Sequence, residues 1–385
     1  MNRPLEGIIA LDFSQYLAGP SAALRLADLG ARVIKVENPK TGDSSRHLSL
    51  KNMVYDGDSV NFQAINRDKE SFAANLKDPE DLKLVKALVK KADVLIENFR
   101  PGIMAKFGLD YESASVLNPR LVYATVTGYG TEGPWKSKPG QDLLLQSMSG
   151  LAYTNGNGDQ PPAPLGISMA DTFAGNHMVD GILACLVRRS RTGKGGRVEV
   201  SLLESILYLQ LEGLTTYLNN GHKPPVRSRV CNAHPNVPAP YGIYETSDGY
   251  IAVSMGSVSR LGHILGCPEL AAYTDESQWF QKRDEIQTVL ARHLKGRPTS
   301  VWLTLLDEAG YWASAVLNWR QLTGSAAYQA LDFSQDIRRP DLPQLLTTRC
   351  PIRCDGQLLR TRKWAPRLGE DTARITEDLA LKEGN

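Results

Sequence analysis

Residues Gly7 to Glu37 read GIIALDFSQYLAGPSAALRLADLGARVIKVE, and this stretch decides the fold class. Gly7 to Phe13 is an apolar run interrupted only by Asp12, and Ala18-Gly19-Pro20 closes the connection that follows it. From Ser21 to Leu29 the apolar side chains recur at helical spacing, Gly30 stops the helix, and Arg32 to Glu37 alternates as a second strand. Strand, turn, helix and strand in that order predict a parallel sheet covered by helices.

The cycle repeats downstream. Asp78-Pro79 opens a helical stretch, Glu80 to Lys91, which returns as the strand Asp93 to Glu97 before Asn98-Phe99-Arg100-Pro101-Gly102 breaks the pattern. Leu121 to Thr127 is a further β-branched run, and helical signal at Leu143 to Leu151 leads into the Gly/Pro/Asn-rich loop Asn155 to Pro164. A helix over Thr172 to Arg189, a basic glycine turn at Arg191 to Gly196, a strand at Arg197 to Val200 and a helix over Leu202 to Leu218 complete a large α/β domain over residues 1–220. Gly221 to Pro240 is dense in Pro, His, Asn and Arg and reads as a crossing segment. Beyond it, Tyr241 to Thr246 and Tyr250 to Ser254 flank the turn Ser247-Asp248-Gly249, a hairpin signal. Helices are expected at Ser257 to Leu265, Glu276 to Leu294 and Thr299 to Glu308, so residues 221–325 form a linker and a smaller α+β domain. Residues 326–385, with a strand at Thr347 to Arg353, are expected to return to the large domain.

Composition removes several function classes. The 44 basic and 42 acidic side chains leave a formal charge of +2, too little for a field that draws in nucleic acid or a membrane surface, so an anion site has to be local. Met1 to Glu6 has no leader pattern and no apolar run approaches the roughly 18 residues that cross a bilayer, which points to the cytoplasm. Five scattered cysteines contain no CxxC pair and read as reduced thiols. No GxxxxGK[ST], HExxH or GxSxG pattern occurs and no GxGxxG follows the first strand, which argues against nucleoside triphosphate hydrolysis, zinc hydrolysis and serine esterase chemistry.

One acid stands in a suggestive place. Asp171 follows the glycine- and proline-rich loop where the apolar-periodic helix begins. It can serve as an N-cap, or as an ionised carboxylate able to attack a carbonyl, and the position alone allows both. His177, later in that helix, reads as a packed or surface residue, not a base.

The order of short blocks along nearly the whole chain resembles family III coenzyme A transferases. The blocks include Pro4-Leu5-Glu6-Gly7, Ala18-Gly19-Pro20, Leu29-Gly30-Ala31-Arg32-Val33-Ile34-Lys35-Val36-Glu37, Gly42-Asp43, Glu97-Asn98-Phe99-Arg100-Pro101-Gly102, Asn118-Pro119-Arg120, Gln146-Ser147-Met148-Ser149-Gly150, Thr192-Gly193-Lys194-Gly195 and Asp248-Gly249-Tyr250-Ile251. The resemblance implies a Rossmann-like α/β large domain, a smaller α+β domain, and two subunits interlocked as a homodimer. It makes Asp171 the nucleophile, with coenzyme A and acyl-CoA as substrates, a small carboxylic acid as acceptor, and no metal or redox cofactor. It places Leu17 and Ala18 at the CoA nucleotide, Asn98 and Phe99 along the pantetheine and adenine path, and Lys77, Lys106 and Arg100 near phosphates. Asn38 stands where some members carry arginine, and Lys138 lies near a position where some carry lysine. Gly256 is a candidate oxyanion donor, and Arg227, Arg229 and His234 are candidates to meet a second carboxylate. The runner-up is an α-methylacyl-CoA racemase, whose Gly-His-Asp triplet is Gly140-Gln141-Asp142 here; glutamine does not titrate usefully and cannot be the base. A non-catalytic CoA-binding protein is the third alternative.

Overall fold

The computed structural model describes residues 3–381; Met1 and Asn2, part of the stretch read above for a leader, lie outside it, as do residues 382–385. The βαβ unit forms as expected: β1 (Ile9–Asp12), α1 (Ala18–Asp28) and β2 (Arg32–Glu37). A strand not read from the sequence follows, β3 (Lys69–Ala73), then α2 (Pro79–Lys91) and β4 (Val94–Glu97). Sequence chemistry sets the bounds of α2: the Asp78 side chain accepts from the amides of Glu80 and Asp81, Pro79 supplies a preset φ, and Lys90 and Lys91 sit at the negative end. Next come β5 (Val122–Thr127), α3 (Asp142–Met148), α4 (Met169–Thr192), β6 (Gly196–Ser201) and α5 (Leu202–Leu209).

The six strands form one parallel sheet in the order β3-β2-β1-β4-β5-β6. One apolar core joins Leu11, Ile34, Phe72, Leu95 and Tyr123 to Val85, Leu88 and Val89. Burying each Leu or Val side chain contributes about 1.5–3 kcal/mol.

Beneath the β1–α1 turn lies a buried charge cluster that explains β3. Asp12 and Lys35 are register partners on adjacent strands, and the Lys69 ammonium reaches the Asp12 carboxylate at 2.8 Å. Lys69 also donates to the Pro20 carbonyl and Asn66 Oδ1, while Lys35 donates to the Ser14 carbonyl and pairs with Asp43 at 2.8 Å. Burial alone would raise the Asp12 carboxyl, but Lys35 and Lys69 beside it prevail and hold it at about 2.

By internal packing the chain divides into two units, the first comprising residues up to Leu145, Ser168–Leu209 and from Leu331 onward, the second Gln146–Ile167 and Gln210–Ala330. The division expected at 220 and 325 does not coincide with this one, since 146–167 and 210–220 group with the second unit. The physical reason is a loop clamp: the Arg227 guanidinium donates to the carbonyls of Asn155 and Gln160, Asn232 Nδ2 donates to Gly156 O, and the Gly158 amide donates to Ser228 O. The helix expected over Leu202 to Leu218 is likewise interrupted at Gln210, so that α5 ends and α6 (Leu211–Asn219) begins in the second unit.

The second unit holds the antiparallel hairpin β7 (Gly242–Glu245) and β8 (Tyr250–Val253). Helices α7 (Val258–Leu265), α8 (Arg283–Leu294) and α9 (Thr299–Glu308) follow, and β9 (Ala313–Ala315) pairs with β8. Its core gathers Tyr244, Leu261, Ile286, Leu290 and Trp302. In the first unit the C-terminal segment makes a hairpin of β10 (Ser334–Ile337) and β11 (Leu345–Thr348), in place of the strand expected at Thr347 to Arg353. Arg339, paired with Asp56 and Glu370, anchors it. Among the described residues no helix is long and apolar enough to cross a membrane.

Candidate functional site

In a parallel sheet every strand delivers its following loop to the same edge, and the crevice lies where the strand order reverses, between β1 and β4. The residues singled out for CoA all follow a strand toward that carboxyl edge: Leu17 and Ala18 after β1, Asn38 after β2, Lys77 after β3, Asn98, Phe99, Arg100 and Lys106 after β4, and Lys138 after β5. The loops after β1 and β4 are joined directly: Asn98 Oδ1 accepts from the Gln15 amide at 2.9 Å, and Asn98 Nδ2 donates to the Gln15 carbonyl at 2.7 Å. Lys77, Arg100, Lys106 and Lys138 are exposed. Lys138 lies over the Trp135 ring, 5.5 Å from its centre. Asn38 Oδ1 is engaged by the Lys40 amide in its own turn, and Phe99 is half-buried against the sheet core.

The β1–α1 turn is held in an unusual backbone shape. Tyr16 has φ +67°, and its amide donates to Asp43 Oδ1, whose other oxygen faces Lys35. Gly19 is required there, because a Cβ would stand 2.3 Å from Ser14 Cβ. No side chain caps α1, so its first amides at Ala18 and Gly19 are not consumed by a cap.

Helix α4 crosses back from the carboxyl edge toward the start of β6 and carries Asp171 in its first turn. The capping role considered for Asp171 is not what the structure shows. The N-cap is Ser168, Asp171 is the third helical residue, and the amides of Ala170 and Asp171 are taken by Asp142 Oδ1 at 2.7 and 3.3 Å. Burial first, and then the charge of Asp142, push the Asp171 carboxyl up to about 6. It is therefore ionised at neutral pH yet more basic than an ordinary aspartate.

Gly175, one turn after Asp171 on the same face, sets how closely α4 meets α1: a Cβ there would lie 2.4 Å from Ser21 Oγ and 2.8 Å from the Ala18 carbonyl. Asp171 lies one turn earlier on that same face of α4. Gly175→Ala is expected to force the helices apart at a cost of about 1–3 kcal/mol, seen as a lower Tm, together with a fall in kcat of roughly tenfold or more. Purified variant and parent compared by calorimetry and turnover check both.

The remaining candidates have the following surroundings within their own units. His177 Nδ1 lies 3.1 Å from Ser205 Oγ with Phe173 and Tyr208 edge-on to its ring. The Arg227 guanidinium is consumed by backbone carbonyls, so as built it is a structural clamp and not a carboxylate ligand. His234 Nδ1 accepts from the Asn236 amide, and Arg229 is exposed. Gly256 packs on Tyr311, whose hydroxyl lies 2.7 Å from where a Cβ would be. Gln141 accepts the Leu144 and Leu145 amides through its carbonyl at the start of α3, with no imidazole in that position. Sequence reading overlooked Asp43, Gly175 and the electrostatic part played by Asp142; the only signal for the last was its place in the Gly140-Gln141-Asp142 triplet.

The sequence model described as CoA-transferase family III matches residues 5–372. The chain belongs to that family. This family III transferase is 35% identical over 392 aligned residues to a succinate–glutarate CoA-transferase of Agrobacterium fabrum, covering 99% of this chain and 96% of that one. It is 33% identical to an acetyl-CoA:oxalate CoA-transferase of Acetobacter aceti, covering 99% and 97%. Among solved structures, a CAIB/BAIF family protein from Brucella suis superposes with a TM-score of 0.85 at 33% identity, over 98% of this chain and 100% of that one. The protein is accordingly an enzyme of the CoA-transferase class, with an α/β fold built on a central parallel sheet.

Proposed function

We propose that this transferase moves CoA from an acyl-CoA to a free dicarboxylic acid through covalent intermediates on Asp171. The observation that carries the reading is a half-buried carboxylate, ionised at neutral pH but pushed up to about 6, in the first turn of a helix that starts at the carboxyl edge of the sheet. In the first step the Asp171 carboxylate attacks the thioester carbonyl, and the C–S bond breaks to leave an aspartyl–acyl anhydride and CoA thiolate. The thiolate then attacks the aspartyl carbonyl, releasing the donor acid and forming an aspartyl–CoA thioester. The acceptor carboxylate attacks that thioester, and the thiolate so freed takes the acceptor acyl group from the new anhydride, restoring Asp171. Splitting one substitution into four acyl exchanges lowers each barrier, and excluding water protects the anhydrides. Uncapped amides at the start of α1 are suited to the developing oxyanions, and the lysines and Arg100 along the edge to the CoA phosphates.

Dicarboxylates are favoured because the relatives named above act on succinate, glutarate and oxalate. A homodimer is part of the proposal. The second unit exposes Trp312 and Trp319 at 78% and 85%, large apolar surfaces of the kind that a partner covers. The test is a panel of free acids, oxalate, succinate, glutarate, a carnitine derivative and an aromatic acid, against succinyl-, acetyl- and formyl-CoA, with thioester products read by mass. A dicarboxylate is expected to take CoA with kcat/KM at least about tenfold above a monocarboxylate of equal length. No product from any acid, together with deuterium uptake at Cα of a 2-methylacyl-CoA, would replace transfer by racemisation.

A further inference from the structure

Asp142 belongs to the triplet that the racemase comparison discarded, yet its surroundings are built with care. The loop leaving β5 returns so that Gly140 lies against Gly128 backbone to backbone; a Cβ on Gly140 would stand 2.6 Å from Gly128 Cα, and one on Gly128 would stand 2.8 Å from Gly140 Cα. The Gly128 carbonyl accepts from the Leu203 amide, fixing this neck to the start of α5. Two residues on, Asp142 Oδ1 takes the amides of Ala170 and Asp171. A helix N-terminus normally favours an anion in its first turn. Here a carboxylate from outside the helix occupies that end, in line with the amide of the residue expected to react.

Other charges on the elements packed against α4 are engaged with their own neighbours. Arg25 pairs with Asp28 at the far end of α1, Glu204 is bonded to Ser201 ahead of α5, and Arg197 on β6 pairs with Glu199 and Glu112. β5 contributes only the Tyr123 phenol, which burial keeps protonated. On α4 itself His177 faces Ser205.

We infer that Asp142 is a positioning residue for the transfer reaction, fixing the first turn of α4 and placing a second carboxylate at its positive end beside Asp171. The inference rests on the reading of Asp171 as nucleophile. A more basic carboxylate is a stronger nucleophile toward the donor thioester, and as a poorer leaving group it favours thiolate attack on the aspartyl carbonyl of the first anhydride. Burial and the Asp142 charge both act in that direction on Asp171.

The test is Asp142→Asn, whose amide oxygen can still accept from Ala170 while the charge is gone. Folding and CoA binding are checked by calorimetry, and kcat/KM for the acyl-CoA is followed from about pH 4 to about pH 8, about two units either side of the Asp171 value. The expected result is an acid limb that starts near pH 6 in the parent and moves down by roughly one pH unit in the variant, with a plateau at pH 8 lowered by roughly threefold or more. An unmoved limb in a folded, CoA-binding variant would reduce Asp142 to a helix cap and overturn the inference. Failure of the nucleophile reading would look different, because then neither parent nor variant would form a covalent adduct on Asp171. Asp142→Ala serves as the second variant: it removes cap and charge together, and is expected to share the shifted limb while also losing thermal stability.

Discussion

Replacing Asp171 by Asn or Ala is expected to lower CoA transfer by at least roughly 10³-fold while leaving CoA binding within a few-fold of the parent, because the nucleophile is removed and the turn and loops expected to hold CoA are not. The same substitution is expected to stabilise the fold. Asp171 has a folded pKa of about 6, above the ordinary aspartate value of 3.8. The unfolded chain therefore loses this proton first, and the folded state is penalised progressively as pH rises from about 4 to 6, fully so above. At pH 7.5 Asp171→Asn is thus expected to be more stable by about 2 kcal/mol, and at pH 4 to be indistinguishable from the parent. Denaturant melts at the two pH values, beside a transfer assay, measure both. A variant that is inactive and also less stable at neutral pH would mean that the carboxylate supports the fold and carries no stored cost.

The second large effect lies in the buried cluster under the β1–α1 turn. Asp12→Ala leaves Lys35 and Lys69, both fully buried, without the carboxylate that lies between them, and Asp43 pairs with Lys35 alone. Stranding a buried charge costs about 3–5 kcal/mol, so a fall in Tm of roughly 5–15 °C is expected. Transfer should suffer as well, because the Asp12 carboxylate accepts from the Ser14 amide and Lys35 donates to the Ser14 carbonyl, which together fix the start of the turn leading to Leu17 and Ala18. The pH dependence has the opposite sign to that of Asp171. The Asp12 carboxyl is held at about 2, below its ordinary value, so its contribution is present above about pH 4 and is lost as pH falls toward 2. The stability gap between parent and Asp12→Asn is therefore expected to close over that interval. A gap independent of pH would assign the loss to packing.

These two sites show what the sequence made legible and what it did not. The β1–α1–β2 unit was readable because apolar periodicity and a glycine stop are local signals, and β2 falls at Arg32–Glu37 as expected. β3 was not, since Lys69 and Glu70 open it and the partner that makes a buried lysine tolerable is Asp12, 57 residues earlier. Asp171 was found, but its standing in the helix was misread: Met169 begins α4, and the group that occupies its N-terminus comes from 28 residues away. A cap supplied from a distance leaves no pattern near the helix start. The grouping of 146–167 with the second unit was hidden for the same reason, because Arg227 and Asn232 hold that loop from more than 60 residues downstream. Local chemistry thus fixes elements, while the long-range polar contacts that place Asp171 emerge only when the chain is folded.

The central claim concerns a covalent bond, and it is tested most directly by trapping it. The enzyme is turned over with an acyl-CoA and an acceptor acid in the presence of hydroxylamine, digested, and its peptides are read by mass. A hydroxamate on Asp171, dependent on acyl-CoA and missing from Asp171→Asn, is the result expected of an aspartyl anhydride or thioester. Continued turnover with Asp171 unmodified, or with the adduct on another side chain, would contradict it.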